Sequence, residues 1–150
     1  MKKIDPDEYR LAYTYGNAGT YRLVDACNYY DLVYPPQLAE LTEEEEPYYW
    51  NGIGGKGCWY NKFIPDTVYG LDISLASGPH DVAYHFGASE EDRKIADDQF
   101  LENIKTIIDK ESHWTAKWSG LVFLRKRRAY KYYLAVRLFG GNAFWENKDR

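Results

Sequence analysis

The chain has 150 residues, a formal net charge of -4, 17% aromatic residues and two cysteines. A domain of this size buries roughly two-thirds of its unfolded surface, so it needs neither a disulfide framework nor a structural metal to hold a core. The mild acidity dictates no partner and no nucleic acid is predicted, and Cys27 and Cys58 allow at most one bridge.

The reading is one domain over 1–150, with an aromatic-rich β or irregular part over 1–47 and a glycine-rich loop plus helices over 48–150. The fold class expected is mainly α with a small N-terminal β-hairpin (α+β). Met1–Glu8 carries no apolar run, and no window approaches the ~18 apolar residues of a spanning helix. The expectation is therefore a chain without a signal peptide, cytoplasmic as made. Association with a virion, or export by a route the sequence does not display, stays open.

Residues 9–15 alternate Tyr, Leu, Tyr, Tyr on one side with Arg, Ala, Thr on the other. Gly16-Asn17-Ala18-Gly19 is a turn signal and 20–24 alternates again, so this stretch reads as the hairpin. Cys27–Tyr34 reads as a strand extension or a packed loop. Pro35-Pro36 breaks the chain, and Gln37–Leu41 reads as a short helix. The like-charge run Glu43–Glu46 reads as a solvated loop ended by Pro47.

Trp50-Asn51-Gly52-Ile53-Gly54-Gly55-Lys56-Gly57 holds four glycines, too many for regular structure. It is not a Walker loop, because Lys56 is followed by Gly57 and Cys58 rather than a hydroxyl. Nor is it a dinucleotide loop, since Pro47 and Cys58-Trp59-Tyr60 flank it where a strand and a helix are needed. An ion-coordinating loop and a plain turn both remain. Residues 58–76 are mixed, with Pro65-Asp66 read as a turn.

Pro79 suits a first helical turn, so Ser77 or Gly78 is expected as the cap of a helix running to about Phe86. Ser89-Glu90-Glu91-Asp92 is a capping-box pattern with Asp at the third position, opening a second helix to about Asp109. If the chain reverses at Gly87-Ala88, His80 and Asp97 are equidistant from the turn and sit abreast on an antiparallel pair. Phe100, Leu101, Ile104 and Ile108 place Asp97 on the inward stripe, whereas Asp98 joins Glu102 and Lys105 on the outer one. A long C-terminal helix is expected from about Trp118 to Phe139, closed by Gly140-Gly141. Its Arg125-Lys126-Arg127-Arg128 cluster is either a solvated face or a contact for anionic headgroups or nucleic acid.

A His abreast of a buried Asp is an orienter–base pair, in which the acid fixes the imidazole tautomer and stabilises its cation. No Ser or Cys is presented as a nucleophile, so water is the natural one. Asp81 is a hard oxygen ligand of the kind calcium takes together with backbone carbonyls, and the glycine loop has carbonyls to offer. A helix-tying hydrogen-bond network in a non-catalytic structural or binding protein is the alternative. A His…His-Asp…Asp phosphohydrolase needs a further upstream His, and none occurs in residues 1–79.

The glycine loop followed by His80-Asp81-Val82-Ala83-Tyr84 resembles the calcium-dependent phospholipase A2 superfamily. Its calcium loop reads Tyr-Cys-Gly-x-Gly-Gly-x-Gly, and its helix reads His-Asp-x-x-Tyr. Ala96-Asp97-Asp98-Gln99-Phe100 is similar to the Ala-Asp-x-x-Phe segment of its parvoviral members. The resemblance implies that His80 activates water, with Asp97 and Tyr84 orienting it. It also implies that Asp81 and the carbonyls of Trp50, Gly52 and Gly54 hold Ca2+, and that the Gly52 amide helps bind the oxyanion. The implied substrate is phospholipid at a membrane surface. The cysteines flanking the His-Asp segment in secreted members are replaced here by Gly78, Pro79 and Ala83. Residues 70–145 also look like an uncharacterised phage and bacterial domain family, which implies a phage or bacterial envelope setting and no particular chemistry.

Overall fold

Helix order follows from where apolar side chains recur at three and four residues and where proline, glycine and side-chain caps interrupt them. The computed structural model describes residues 22–49, 65, 67–146 and 148. It is mostly helical with a small two-stranded antiparallel sheet, in agreement with the expected mainly-α class. The expected hairpin of 9–24 lies outside the described residues up to 21. At its far end Leu23 and Val24 begin a helix instead, α1 (Leu23–Tyr29). The reason is spacing: Leu23, Ala26 and Cys27 fall on one helical face, and all three are buried.

The short α2 (Pro36–Glu40) starts on proline and lies one residue from its expected place. The acidic run is only partly the solvated loop expected. Glu46 opens α3 (Glu46–Tyr49) and is buried, because Arg22 Nε bonds its Oε1 at 2.9 Å and the Leu23 amide reaches its Oε2 at 3.3 Å.

The sheet lies downstream of the glycine loop. Strands β1 (Thr67–Val68) and β2 (Leu71–Asp72) pair Thr67 with Asp72 and Val68 with Leu71. Both turn residues have positive φ, 46° at Tyr69 and 79° at Gly70, the type I′ geometry that matches strand twist. Asp72 Oδ1 then accepts from the Ser74 amide at 2.8 Å and opens a 3-10 turn, Ser74–Ala76.

That turn runs directly into α4 (Ser77–Phe86), so neither Ser77 nor Gly78 is its cap; Ala76 holds that place. Pro79 thus falls at the third helical position, where its missing N–H still has no intrahelical partner to lose. Gly87 ends α4, and Ser89 caps α5 (Glu90–Glu111). The capping box forms as expected: Ser89 Oγ accepts from the Asp92 amide at 3.1 Å, and Asp92 Oδ2 accepts from the Ser89 amide at 3.0 Å.

The helix expected over 118–139 is α7 (Leu121–Phe139), which starts three residues later and ends as expected; a short helix, α6 (Trp114–Trp118), precedes it. Gly120 separates them at φ 78°, a left-handed conformation that an L side chain resists. A last turn, α8 (Gly141–Trp145), follows. Helix α5 packs against both α4 and α7, and the main core joins Leu23, Leu38, Ile73, Phe100, Ile104, Ile108 and Val136. A smaller cluster joins Tyr84, Ala96 and Phe144. Among the described residues no helix is long and apolar enough to cross a membrane.

Candidate functional site

The antiparallel α4–α5 pair brings His80 and Asp97 together as their spacing predicts. His80 Nε2 lies 2.8 Å from Asp97 Oδ1, and the Tyr84 hydroxyl donates to the same oxygen at 2.7 Å. Helix periodicity chose correctly between the two acids. Asp97 is fully buried on the Phe100–Ile104–Ile108 stripe, while Asp98 stays partly exposed with Lys94 Nζ at 2.6 Å and the Tyr133 hydroxyl at 2.8 Å.

A third group on Asp97 has no counterpart in the sequence reading. Arg137, on α7, donates from its guanidinium to Asp97 Oδ2 at 2.7 Å. A second arginine locks the same corner. Arg93 donates to the Arg137 carbonyl at 2.6 Å and the Val136 carbonyl at 3.3 Å, near the C-terminal end of α7, where the helix dipole favours a cation. Arg93 is equidistant with Tyr84 from the α4–α5 turn, so its position was readable from the sequence; its partners on α7 were not.

Charge follows geometry. Burial pushes the Asp97 carboxyl upward, but the hydrogen bonds and charge of His80, with the Tyr84 and Arg137 donors, outweigh it and hold Asp97 below the ordinary carboxylate range. Burial disfavours the His80 imidazolium, yet Asp81 and Asp97 outweigh that and raise its value. Burial and the neighbouring Asp97 charge push the Tyr84 phenol up, so it stays a donor. An ionised Asp97 accepts only, which assigns the Nε2 hydrogen to His80 and leaves Nδ1 as the nitrogen directed elsewhere.

Nδ1 faces Asp81, whose Oδ1 is 3.9 Å away. Asp81 follows His80 by one residue on α4, and its side chain is 18% exposed against 3% for His80. This partly accessible hard oxygen, beside the only imidazole nitrogen not turned to Asp97, fits a calcium ligand. Trp50, Gly52 and Gly54, the other expected ligands, and Gly52 as oxyanion donor lie outside the described residues. Among the described residues no group of three or more His, Cys, Asp or Glu side chains is arranged to hold a metal.

Two glycines shape the far side of the cluster. A Cβ on Gly140 would lie 2.6 Å from the Tyr84 hydroxyl and 2.5 Å from the Val136 carbonyl, so the absent side chain is what lets Tyr84 reach Asp97. A Cβ on Gly87 would meet Phe144 at 2.7 Å, which fixes how closely α8 covers the α4–α5 turn. On that turn's outer side a cavity of about 300 Å³ is lined by Tyr34, Phe86, Ile95 and Gln99, among others. Its walls include Ala83 and Ala96 but neither His80 nor Asp97.

The basic cluster is largely engaged within the fold. Arg125 bonds Ser112 Oγ at 2.9 Å and the Tyr69 carbonyl at 3.2 Å, and Lys126 meets Asp109 at 2.7 Å. Arg128 stacks 4.6 Å from the Tyr69 ring centroid. These contacts dock the β-hairpin and α5 on α7; Arg127 alone of the four is exposed with no ion pair among the described residues. Cys27 is buried in the core, and burial raises its thiol to about 12; Cys58, its sole possible partner, lies outside the described residues.

No family model, no curated protein and no solved structure matches this chain.

Proposed function

We propose that the chain hydrolyses phospholipid esters with calcium, in a phage or bacterial envelope setting, using water activated by His80. One observation carries this reading. Asp97 and Tyr84 pin the Nε2 side of a buried imidazole, and its Nδ1 is turned to a partly exposed carboxylate on the next residue, Asp81. The resemblance of the glycine loop and the His80–Tyr84 segment to phospholipase A2 motifs supports it.

In this reading Nδ1 takes a proton from the attacking water as the water oxygen bonds to the ester carbonyl carbon. Asp97 stays ionised and stabilises the imidazolium, and Tyr84 and Arg137 keep Asp97 from turning. When the carbon–oxygen bond of the ester breaks, the imidazolium returns its proton to the departing lysophospholipid alcohol. Calcium, held by Asp81 with the Trp50, Gly52 and Gly54 carbonyls, would polarise the ester carbonyl and stabilise its negative charge.

The enclosure of the imidazole favours a second reading. His80 is 3% exposed, and both Asp97 oxygens are taken by side chains from α4 and α7, as in a network whose role is to tie helices together. Calorimetric titration with calcium separates the two. The hydrolase binds calcium at no weaker than about millimolar concentration, loses that binding on Asp81→Asn, and releases fatty acid from mixed vesicles until His80→Gln abolishes it. Absence of both binding and release would leave the helix-tying role.

A further inference from the structure

Helix α7 turns an apolar stripe to solvent. Ala129, Tyr132 and Val136 are its buried residues. At 100° per residue, Phe123, Tyr130, Leu134 and Leu138 fall on the opposite side, within an arc of roughly 80°. These four are 68%, 51%, 40% and 73% exposed. A stripe this regular is not the scattered surface leucine that needs no explanation.

The polar residues around it share one sign. Residues 121–139 hold six cations and no carboxylate, in a chain whose net charge is -4. Arg127 lies inside the stripe and Lys131 at its edge; both are exposed, and neither has an ion pair among the described residues. Just upstream, α6 presents Trp114 and Trp118 one turn apart, 65% and 86% exposed, with exposed Lys117 between them. Exposed tryptophan and long aliphatic side chains edged by unpaired lysine and arginine match the two layers of an anionic bilayer, acyl chains beneath phosphates. A nucleic acid would use the cations and leave Leu134 and Leu138 without a partner. A second copy of this chain would set the cations of one stripe against those of the other.

We infer that the outer face of α6 and α7 is a docking surface for anionic lipid bilayers, with Trp114, Trp118, Phe123, Leu134 and Leu138 entering the interface and Arg127 and Lys131 meeting headgroups. The inference deepens the lipid-directed reading above by naming the surface, yet the two fail separately, since docking needs neither calcium nor His80.

The test is co-sedimentation of the full chain, in chelator, with phosphatidylcholine vesicles that contain or lack phosphatidylserine. Binding is expected only to the anionic vesicles and weakens as salt rises. Because each surface cation contributes about five-fold, Arg127→Ala with Lys131→Ala should lower the partition coefficient about thirty-fold. Trp118→Ala with Leu138→Ala should lower it at low salt too, with helical content unchanged in both double variants. Indifference of the vesicles to all four substitutions overturns the inference. So does salt-sensitive binding to duplex DNA that ignores Trp118→Ala, or a dimer in sedimentation analysis that Leu134→Glu dissociates. Vesicle binding without fatty-acid release in calcium would sink the hydrolase and leave the docking surface standing.

Discussion

Arg137 donates to Asp97 Oδ2 at 2.7 Å across 40 positions of sequence, and the pair joins α7 to the α4–α5 unit. The carboxylate is wholly buried while the Arg137 side chain is 26% exposed, so the two ends are unequal partners. Asp97 depends on Arg137 more than the reverse. Loss of Asp97 leaves an arginine that can turn to water, whereas loss of Arg137 leaves a buried charge one donor short.

Arg137→Leu should therefore destabilise the fold by about 2 kcal/mol, the scale of a hydrogen bond to a buried charged group. The urea midpoint of Arg137→Leu against wild type measures it. A loss near zero, as for surface ion pairs, would mean that water replaces the guanidinium at Oδ2.

The same cluster fixes how stability changes with pH. His80 is raised in the folded state, so its contribution is complete below its ordinary value of 6.5 and is lost as pH rises through the higher folded value. Asp97 is lowered, so its contribution is present above its ordinary 3.8 and is lost as pH falls through the lower folded value. The urea midpoint of wild type should be highest between those two ordinary values. His80→Gln should differ most from wild type in that window and converge on it at alkaline pH. A gap that stayed constant with pH would show that folding leaves the imidazole's affinity for its proton unchanged. If the chain is a hydrolase, its rate should rise with pH over the range where His80 loses its proton.

Adjacent glycines separate close packing from backbone freedom. Gly140→Ala should cost about 1–3 kcal/mol, because its Cβ would sit 2.6 Å from the Tyr84 hydroxyl and 2.5 Å from a backbone carbonyl, neither of which has room to move. Gly141→Ala meets only the Arg93 guanidinium, at an ordinary 3.7 Å, and should be neutral or stabilise α8 by up to about 1 kcal/mol. Thermal unfolding of the two single variants decides this. The tyrosine absorbance of Gly140→Ala at high pH should also shift as Tyr84 loses Asp97, a change that simple crowding would not produce.

Much of α4 and α5 was legible because its determinants are local. A capping box spans four residues, a helical stripe repeats within two turns, and equal spacing about a glycine turn sets residues abreast. Asp97 was chosen over Asp98 on those grounds, and it is the buried acid. Signals were present but outweighed elsewhere. Tyr69-Gly70 is a two-residue turn, yet its strands are two residues each, too short for alternation to show. The alternation read over 20–24 hid the Leu23, Ala26, Cys27 spacing that makes α1.

Sequence by itself determined the helix pair, its cap and the meeting of His80 with Asp97, because each depends on residues close along the chain. Tertiary structure alone decided what holds Asp97 still and which cations of α7 stay exposed. Arg137 reaches that carboxylate, and Arg125, Lys126 and Arg128 are drawn inward, only because α7 packs against α5 and the hairpin. Side chains alike in sequence were sorted into bound and exposed by which face of one helix the core covers.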